Sequence, residues 1–369
     1  MLQPGLILQN RYRIVQELDL DTRGGFGKIF DIVEDQGMPK ILKVLHFENC
    51  SNLQEKQIAV SLFEREAHVL IRLDHPGIPK VEPDGYFLYQ EGGNTLYCLV
   101  MDKIYGHNLQ QWLKQIDYQP ISQQQAINWL KQLVNILAYL HQQHYFHRDI
   151  KPANIILKPD GQLVLIDFGA VRIITNTYLS KIADENEGEV TKIYTKGYAP
   201  FEQIKGKALP QSDFYALGRT FVFLLTGKNP TDLEDELYQE VIWRDQAPQI
   251  SGLLADLIDE LMAFYPKNRP KNPEAILQAI AKIECPSEEG LSAVPPTELQ
   301  GISPLNTERK WLKSFAKTKK ALVGIGITAF ACVSVLILPK FVPLQGQPPA
   351  PLKNLSLTNQ HLERRFGSI

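Results

Sequence analysis

Runs of alternating apolar and polar residues in the first hundred positions are typical of β-strands. Residues 12–18 and 28–34 alternate in this way on either side of a glycine-rich turn, and residues 96–101 read as another strand. Between the second and third of these segments, residues 54–73 repeat apolar side chains at helical spacing. The pattern therefore predicts a small β-rich unit that contains one helix.

After residue 109 the hydrophobic pattern changes from strands to helices. Residues 122–142 carry a broad apolar stripe on one side of a predicted helix, and residues 163–166 read as a short strand. Further helices are predicted, each closed by Gly, Pro or Asn, at 214–226, 251–265 and 273–283. A larger helical unit is therefore expected to follow the β-rich one.

Composition and charge restrict the class of protein. The chain has 369 residues, of which 44% are hydrophobic and 22% charged, and these are values typical of globular proteins. A net charge of −2 provides no basic field, which argues against a nucleic-acid partner. The cysteines lack C-x-x-C spacing and predict ordinary thiols in a reducing compartment: Cys50, Cys98, Cys285 and Cys332. Residues 1–10 do not resemble a cleaved signal peptide.

The C-terminal part of the chain has a different character. Around residues 285–306 the composition shifts to Ser, Glu, Pro and Gly, which is typical of a linker. A basic cluster follows, consisting of Arg309, Lys310, Lys313, Lys317, Lys319 and Lys320. Residues 321–338 then carry no charge and would rise about 27 Å as a helix, close to the thickness of a bilayer core. Because the basic residues precede this run, its N-terminal side is predicted to face the cytoplasm.

Two short motifs carry the candidate chemistry. Residues 147–154 read HRDIKPAN, and 13 residues after Asn154 the chain reads DFG from Asp167. Together they place two carboxylates, a lysine and a carboxamide on short loops, at a spacing that suits phosphoryl transfer from ATP. Transfer of this kind depends mainly on positioning and charge neutralisation, which these side-chain types can supply.

The two motifs resemble the catalytic core of protein kinases, whose pattern is H-R-D-x-K-x-x-N followed by D-F-G. The resemblance covers about residues 11–284 and is greatest to bacterial, eukaryotic-type Ser/Thr protein kinases, which are often tethered by a single membrane span. It implies an α+β, bilobal fold with a small β-rich N-lobe and a larger helical C-lobe. The predicted segments are an N-terminal lead (1–10), a protein kinase domain (11–284), a juxtamembrane linker with the basic cluster (285–320), a transmembrane helix (321–338) and a short extracytoplasmic tail (339–369).

The resemblance assigns roles within the catalytic loop. Asp149 is the expected base that orients the acceptor hydroxyl, and Lys151 would neutralise the transferring phosphoryl group. Asn154 and Asp167 would hold the metal ion, for which hard oxygen ligands favour Mg²⁺, with Mn²⁺ as the alternative.

A nucleotide site is implied by residues upstream of the catalytic loop. The turn at 22–29 resembles the kinase glycine-rich loop, although Thr22 replaces its first glycine. Lys43 fits the strand lysine that holds the phosphates, and Glu66, in preference to Glu64, fits its helix carboxylate. Ile41 stands where the family usually has alanine over adenine. The residues expected to bind ATP are Thr22, Gly24, Gly25, Gly27, Ile29, Lys43, Glu66 and Met101, the last at the hinge.

Further residues are implied in regulation. Arg148 resembles the arginine of kinases whose activation segment is switched by phosphorylation. Within that segment Thr191 is the preferred phosphate acceptor, because Thr195 is expected to contact Asp149 and Lys151 directly. Lys151, two residues after Asp149, together with Thr195 resembles the pattern of the Ser/Thr-specific branch and departs from that of the tyrosine-specific one.

Three more residues are implied in maintaining the fold of the site. Glu202 is expected to pair with a buried Arg269, and Asp213 to brace the backbone of the catalytic loop. This set of residues separates protein kinases from small-molecule kinases with the same chemistry.

The leading hypothesis is therefore a single-pass kinase of the plasma membrane or an internal bacterial membrane, with its catalytic domain in the cytoplasm. It would use Mg-ATP to phosphorylate Ser/Thr residues of protein substrates, including itself, and self-association is compatible with this function. A second hypothesis is a pseudokinase that binds nucleotide or partners without transfer, motivated by Thr22 and Ile41. A small-metabolite kinase is disfavoured by Thr195, Glu202 and Arg269.

Overall fold

The computed structural model describes residues 2–18, 27–47, 50, 52–173, 195–235 and 240–285. These residues belong to the first of two compact units, Met1–Ala293. The predicted membrane helix at 321–338 and the basic cluster before it lie outside this described part. Within it, no helix combines the length and the apolar character that a membrane crossing requires.

An antiparallel sheet forms the N-terminal lobe. Its strands are β1 (Ile7–Leu8), β2 (Tyr12–Leu18), β3 (Gly27–Glu34), β4 (Pro39–Leu45), β5 (Tyr86–Glu91) and β6 (Asn94–Asp102). They are arranged in the order β1-β2-β3-β4-β6-β5. Because successive side chains of a strand alternate between faces, Leu42 and Val44 are buried in the lobe's own core while Lys43 points to the opposite face. The register places Lys43 between Ile29 of β3 and Leu99 of β6.

A single long helix, α1 (Leu53–Arg72), accompanies this sheet. The side chain of Asn52 accepts a hydrogen bond from the backbone N–H of Glu55 and so caps the helix N-terminus. Apolar residues of one face, including Phe63 and Leu70, are buried in the main core. Glu66 lies on the same buried face, so its carboxylate requires a cationic partner.

The C-terminal lobe is mainly helical. Its helices are α2 (Leu109–Gln115), α3 (Gln123–Gln142), α4 (Phe201–Ile204), α5 (Pro210–Thr226), α6 (Gly252–Leu261) and α7 (Pro273–Glu284). Short strands complete it: β7 (His107–Asn108), β8 (Tyr145–Phe146), β9 (Ile155–Leu157), β10 (Leu163–Leu165) and β11 (Arg172–Ile173). The predicted α+β fold, with a β-rich lobe before a helical one, is confirmed.

Helix α5 lies at the centre of this lobe. From Ser212 to Thr226 it exposes only one residue, Tyr215, to an intermediate degree, and it packs against α3 and α6. It ends at Gly227, whose φ is +68°, and a Cβ there would lie 2.1 Å from the carbonyl oxygen of Tyr118. Only glycine fits this helix end, which fixes where the chain leaves the core.

Two helix boundaries differ by several residues from those predicted. Helix α5 begins at Pro210 rather than at 214, because proline is well tolerated in the first turn. Helix α6 ends at Leu261 rather than at 265. The carbonyl oxygens of Ala263 and Phe264 accept hydrogen bonds from the side chain of Arg269, and this tertiary contact takes the chain out of helical geometry.

Candidate active site

The catalytic loop and the DFG segment meet at one end of the paired strands β9 and β10, which form a three-stranded sheet with β7. Strands β9 and β10 pair antiparallel, with Ile155 opposite Leu165, and the N–H of Ile166 donates to the carbonyl oxygen of Asn154 at 2.8 Å. Asn154 and Asp167 therefore leave the ladder side by side. Arg148 and Asp167 have φ values of +71° and +64°, a conformation that costs non-glycine residues about 1–3 kcal/mol and is concentrated at functional sites.

Asp149 is the centre of a hydrogen-bonded cluster. Its Oδ2 accepts from Lys151 Nζ at 2.7 Å and from Asn154 Nδ2 at 2.9 Å. Its Oδ1 accepts from the hydroxyl of Thr195 at 2.6 Å, and Lys151 Nζ also donates to that hydroxyl, at 2.9 Å. A threonine hydroxyl thus sits between the carboxylate and the ammonium group. This is the arrangement in which a carboxylate can orient a hydroxyl for attack.

Lys43, Glu66 and Asp167 form a second cluster, which joins the two lobes. Lys43 Nζ donates to both carboxylate oxygens of Glu66, at 2.7 and 2.8 Å, and lies 3.3 Å from Asp167 Oδ1. Burial alone would lower the pKa of Lys43, but the charges of Glu66 and Asp167 outweigh it and raise that pKa. The charge of Lys43 in turn lowers the pKa of Asp167, and this effect outweighs the partial desolvation of the carboxylate. Lysine and aspartate are therefore both ionised at neutral pH.

Only some of the remaining residues predicted to bind the nucleotide lie in the described part of the chain. Gly27 opens β3 beside Lys43, and a Cβ at Gly27 would lie 3.3 Å from Lys43 Cε. Ile29 is the register partner of Lys43, and Ile41 is that of Met101. These pairings place Lys43 and Met101, the predicted phosphate lysine and hinge residue, on the adjacent strands β4 and β6. Three further predicted residues lie outside the described part of the chain: Thr22, Gly24 and Gly25.

The residues predicted to hold a divalent cation suit a hard ion. The side-chain amide nitrogen of Asn154 donates hydrogen bonds to Asp149. Its side-chain carbonyl oxygen therefore remains available as a metal ligand. The carboxylate of Asp167 is 47% exposed and is therefore accessible from solvent. One carboxylate and one amide oxygen, completed by phosphate oxygens and water, match the preference of Mg²⁺.

Buried polar side chains form hydrogen bonds with the backbone of the catalytic loop and hold it in place. Asp213, which is fully buried, accepts from the N–H groups of His147 and Arg148 at 2.9 and 2.7 Å and lies 3.1 Å from His141 Nε2. The side chain of Gln203 donates to the carbonyl oxygen of Arg148 at 2.6 Å. Both backbone groups of Arg148 are thus fixed, which sets the direction in which Asp149 leaves the loop.

Arg148 itself is buried, and its Nη1 donates to the carbonyl oxygen of Ala170 at 3.4 Å. This contact links the catalytic loop to the start of the segment that carries the predicted phosphate acceptor. Thr191 lies outside the described residues, so its pairing with Arg148 stays a prediction.

The predicted pair between Glu202 and Arg269 is present. Arg269 Nη1 lies 2.6 Å from Glu202 Oε1 and Nη2 lies 3.2 Å from Oε2, and the arginine side chain is fully buried. The same guanidinium donates to the carbonyl oxygens of Gln211, Ala263 and Phe264. This single side chain therefore joins the segment after the activation loop to the turn before α7.

We expect Arg269→Ala to lower the free energy of unfolding by about 3–5 kcal/mol, because it leaves a carboxylate and three carbonyl oxygens without their cationic donor. Urea denaturation monitored by tryptophan fluorescence would measure this loss. Arg244→Ala is the matched control: its guanidinium is 47% exposed beside Asp256 and Asp259, and a change below about 1 kcal/mol is expected. Equal losses in the two variants would contradict the structural role of Arg269.

Two buried residues that position the site were missed by sequence reasoning. Gln203 and Arg219 are each about 1% exposed, and Arg219 donates from Nε to the carbonyl oxygen of Gly197 at 2.7 Å and pairs with Glu234. One signal was available for Arg219. A charged residue within the apolar pattern of 214–226 indicates a buried partner, because an unpaired buried charge is costly. No comparable signal marks Gln203.

Comparison with known proteins places this geometry in a known family. The family model described as the protein kinase domain matches residues 22–280. Serine/threonine-protein kinase PknA of Nostoc sp. is 37% identical over 303 residues, which are 79% of this chain and 49% of that protein. Serine/threonine-protein kinase C of Synechocystis sp. is 35% identical over 314 residues, 83% of this chain and 54% of that protein. The chain spans about half the length of these relatives.

A solved structure supports the fold independently. The structure titled "PpkA-294 apo form" matches with a TM-score of 0.59 and 22% sequence identity. The match covers 76% of this chain and 99% of the other. At this identity the similarity concerns the architecture alone.

Proposed function

The chain belongs to the protein kinase family, and we propose that it transfers the γ-phosphoryl group of ATP to serine and threonine hydroxyls of proteins. The observation that carries the proposal is the threonine hydroxyl of Thr195, which sits 2.6 Å from Asp149 Oδ1 and 2.9 Å from Lys151 Nζ. An acceptor hydroxyl needs the same two neighbours. The relatives that this chain matches bear the name serine/threonine-protein kinase, which agrees with the proposal.

Each polar group has a task in this reaction. Lys43, held by Glu66, positions the phosphates of ATP, and Asp149 orients the acceptor hydroxyl and receives its proton. Lys151 lies where it can neutralise charge on the transferring group. Mg²⁺, for which Asn154 and Asp167 would be the ligands, supplies neutralisation of the phosphate charge when bound. Most of the rate enhancement then comes from positioning and electrostatics.

Protein substrates are favoured over small metabolites by the segment after Thr195. The Glu202–Arg269 pair and the contact of Arg219 with Gly197 hold this segment as an ordered surface beside Asp149. A surface of this kind offers an extended polypeptide backbone a place to bind, whereas a small metabolite needs an enclosed pocket.

Incubation of the purified full chain with labelled ATP, Mg²⁺ and dephosphorylated casein tests the proposal. We expect label on casein serine and threonine, and none on tyrosine. An Asp149→Ala protein, prepared in parallel, should give no signal above background. Nucleotide binding without transfer by the wild-type chain would instead favour the pseudokinase hypothesis.

We further propose that the chain phosphorylates itself in the segment between Gly169 and Gly197, with Thr191 as the preferred acceptor. Support comes from the position of Arg148, which contacts Ala170 at the start of this segment, because added phosphate pairs readily with arginine. Mass spectrometry of the wild-type chain after incubation with ATP should locate phosphate there. The Asp149→Ala chain should carry none.

Attachment to a membrane is also proposed. The support is the uncharged run at 321–338 and the basic cluster that precedes it, and both point to a single span with the catalytic domain in the cytoplasm. ATP is a cytosolic substrate, so the proposed activity requires the same orientation.

We expect the full chain to remain in the membrane fraction after an alkaline carbonate wash. Deletion of residues 321–338 should release it, because no apolar run would remain to be held by lipid. A single Phe330→Arg change should weaken insertion by about 2.5–3.5 kcal/mol, the cost of one charge near the centre of a span. Recovery of the unmodified chain in the soluble fraction would contradict the anchor.

A further inference from the structure

Three exposed aromatic rings lie in contact on the surface of the helical lobe. Phe201 stacks on Phe264 with ring centroids 6.0 Å apart, and Tyr265 packs edge-on against Phe264 at 5.1 Å. Their exposed fractions are 52%, 52% and 59%, respectively. Each side chain offers roughly 200 Å² when free, so this aromatic patch presents about 300 Å² of largely apolar surface. Contiguous patches of this size on a folded protein often mark a binding site.

Two lysines border the aromatic patch on either side. Lys205 Nζ lies 5.2 Å from the ring centroid of Phe201, and Lys267 Nζ lies 5.8 Å from that of Tyr265. Among the described residues, neither ammonium group forms an ion pair with a carboxylate. The cations therefore retain their capacity to bind an anionic partner, while the rings between them offer an apolar contact.

The aromatic patch rests on a rigid base. Phe201 is the first residue of α4 and precedes Glu202, while Phe264 supplies a carbonyl oxygen to Arg269 at 3.1 Å. The buried Glu202–Arg269 pair thus ties together the two backbone segments that carry the rings. Binding to a surface that is already ordered costs little conformational entropy, which favours affinity.

The position of the aromatic patch connects it to catalysis. Phe201 is six residues after Thr195, whose hydroxyl contacts Asp149, and six residues span at most about 20 Å. A polypeptide bound at the patch would therefore keep a nearby serine or threonine at high local concentration beside Asp149. A membrane pressed against the same rings would instead restrict access of protein substrates to this face.

We propose that the aromatic patch, with Lys205 and Lys267, docks a segment of the protein substrate in which acidic residues flank an aromatic or aliphatic side chain. The occupant follows from charge complementarity, because two cations bordering an apolar centre match carboxylates that flank an apolar residue. This inference rests on the proposed phosphorylation of proteins and adds a substrate class to it.

The probe is a synthetic peptide with an acceptor threonine joined, through about 12 glycine and serine residues, to a Glu-Glu-Phe-Glu-Glu segment. A linker of that length has a mean span of about 20 Å, comparable with the limit above. A second peptide ends at the linker and lacks the acidic segment. Steady-state kinetics on both peptides are combined with fluorescence anisotropy of the labelled first peptide, which reports binding without catalysis.

For the full chain with both lysines reversed, Lys205→Glu and Lys267→Glu, we expect KM for the first peptide to rise at least tenfold with kcat within twofold. Phe264→Ala should act in the same direction, since it removes the central ring. For the short peptide, both variant proteins should have the same KM and kcat as the wild type. Lys282→Glu, which reverses an exposed lysine on α7, is the matched control and should leave both KM values unchanged.

The possible outcomes separate this inference from the proposed function. Unchanged KM and unchanged anisotropy in both patch variants would overturn it. If the patch variants instead lost binding to phosphatidylcholine vesicles that contain phosphatidylserine, while their peptide kinetics stayed unaffected, the substrate-docking proposal would be overturned. The aromatic patch would then be a membrane-binding surface. If the wild-type chain transfers no phosphate to either peptide but binds the acidic one, and the variants do not bind, the docking site stands and the proposed activity fails.

Discussion

Replacing Asp149 with alanine is expected to lower the rate of phosphoryl transfer by at least about 10²–10⁴-fold while nucleotide affinity stays within about twofold. The carboxylate contacts the hydroxyl of Thr195 and the ammonium group of Lys151, which mark the proposed position of the acceptor hydroxyl, and it also accepts from the amide of Asn154. Removing it therefore takes away the group that orients the hydroxyl and accepts its proton. Single-turnover transfer to casein and binding of a fluorescent ATP analogue measure the two effects separately.

Asp160→Ala provides the matched control for this change. Its carboxylate is 59% exposed and pairs with Lys158 at 3.0 Å in a surface turn. The rate and the affinity should both remain at wild-type values, since exposed ion pairs contribute little. An Asp149→Ala protein as active as this control would remove Asp149 from the proposed mechanism.

Lys43→Met is expected to reduce transfer by about 10²-fold or more, through lost positioning of the ATP phosphates. The substitution also leaves the buried carboxylate of Glu66, which is 3% exposed, without a cationic partner. In the wild type the Lys43 ammonium group lies 2.7 Å from this carboxylate. Burial already raises the pKa of Glu66 and the charge of Lys43 opposes this, so the carboxyl group should take up a proton in the variant. Activity assays and binding of a fluorescent ATP analogue test the first expectation.

The same substitution should change the acid sensitivity of the fold. Lys43 lowers the pKa of Asp167, so this carboxylate contributes stability above its ordinary pKa of about 3.9, and the contribution disappears as the pH falls through the lowered value. In Lys43→Met that contribution should be absent. Urea midpoints measured at neutral pH and below about pH 4 would show this difference: acidification should lower the wild-type midpoint by an amount that Lys43→Met lacks. Lys80→Met, in which an exposed lysine is lost, should behave like the wild type; an unaltered Lys43→Met profile would contradict the pairing.

The sequence predicted the parts of the fold and site whose signals are local. Helix α3 begins one residue after its capping serine, Ser122, as the apolar stripe indicates, and the HRD and DFG motifs identify the loops. The strands Pro39–Leu45 and Tyr86–Glu91 were not delimited by pattern. Strand β4 lies between β3 and β6 in the sheet, and its partner β6 begins only at Asn94, far along the chain. Local periodicity cannot specify such long-range pairing.

Side chains that act through tertiary contacts were the hardest to predict. Gln203 reaches the carbonyl oxygen of Arg148, 55 positions earlier, and nothing in its neighbourhood along the chain marks that partner. Asp213 and Arg269 were predicted only because a family pattern preserves their spacing. The catalytic and nucleotide-binding roles stay predictions, as do those of Thr22, Thr191 and residues 321–338, which lie outside the described part.

One helix, α5, carries the anchors of three separate parts of the site. Asp213 holds the catalytic loop, Ser212 donates to Glu202 at 2.8 Å, and Arg219 holds the carbonyl oxygen of Gly197. Local opening that exposed any of these anchors would require α5 to leave the centre of the lobe. The amides of His147 and Arg148 should therefore exchange with deuterium only through global unfolding, and thermal inactivation should coincide with melting of the whole lobe.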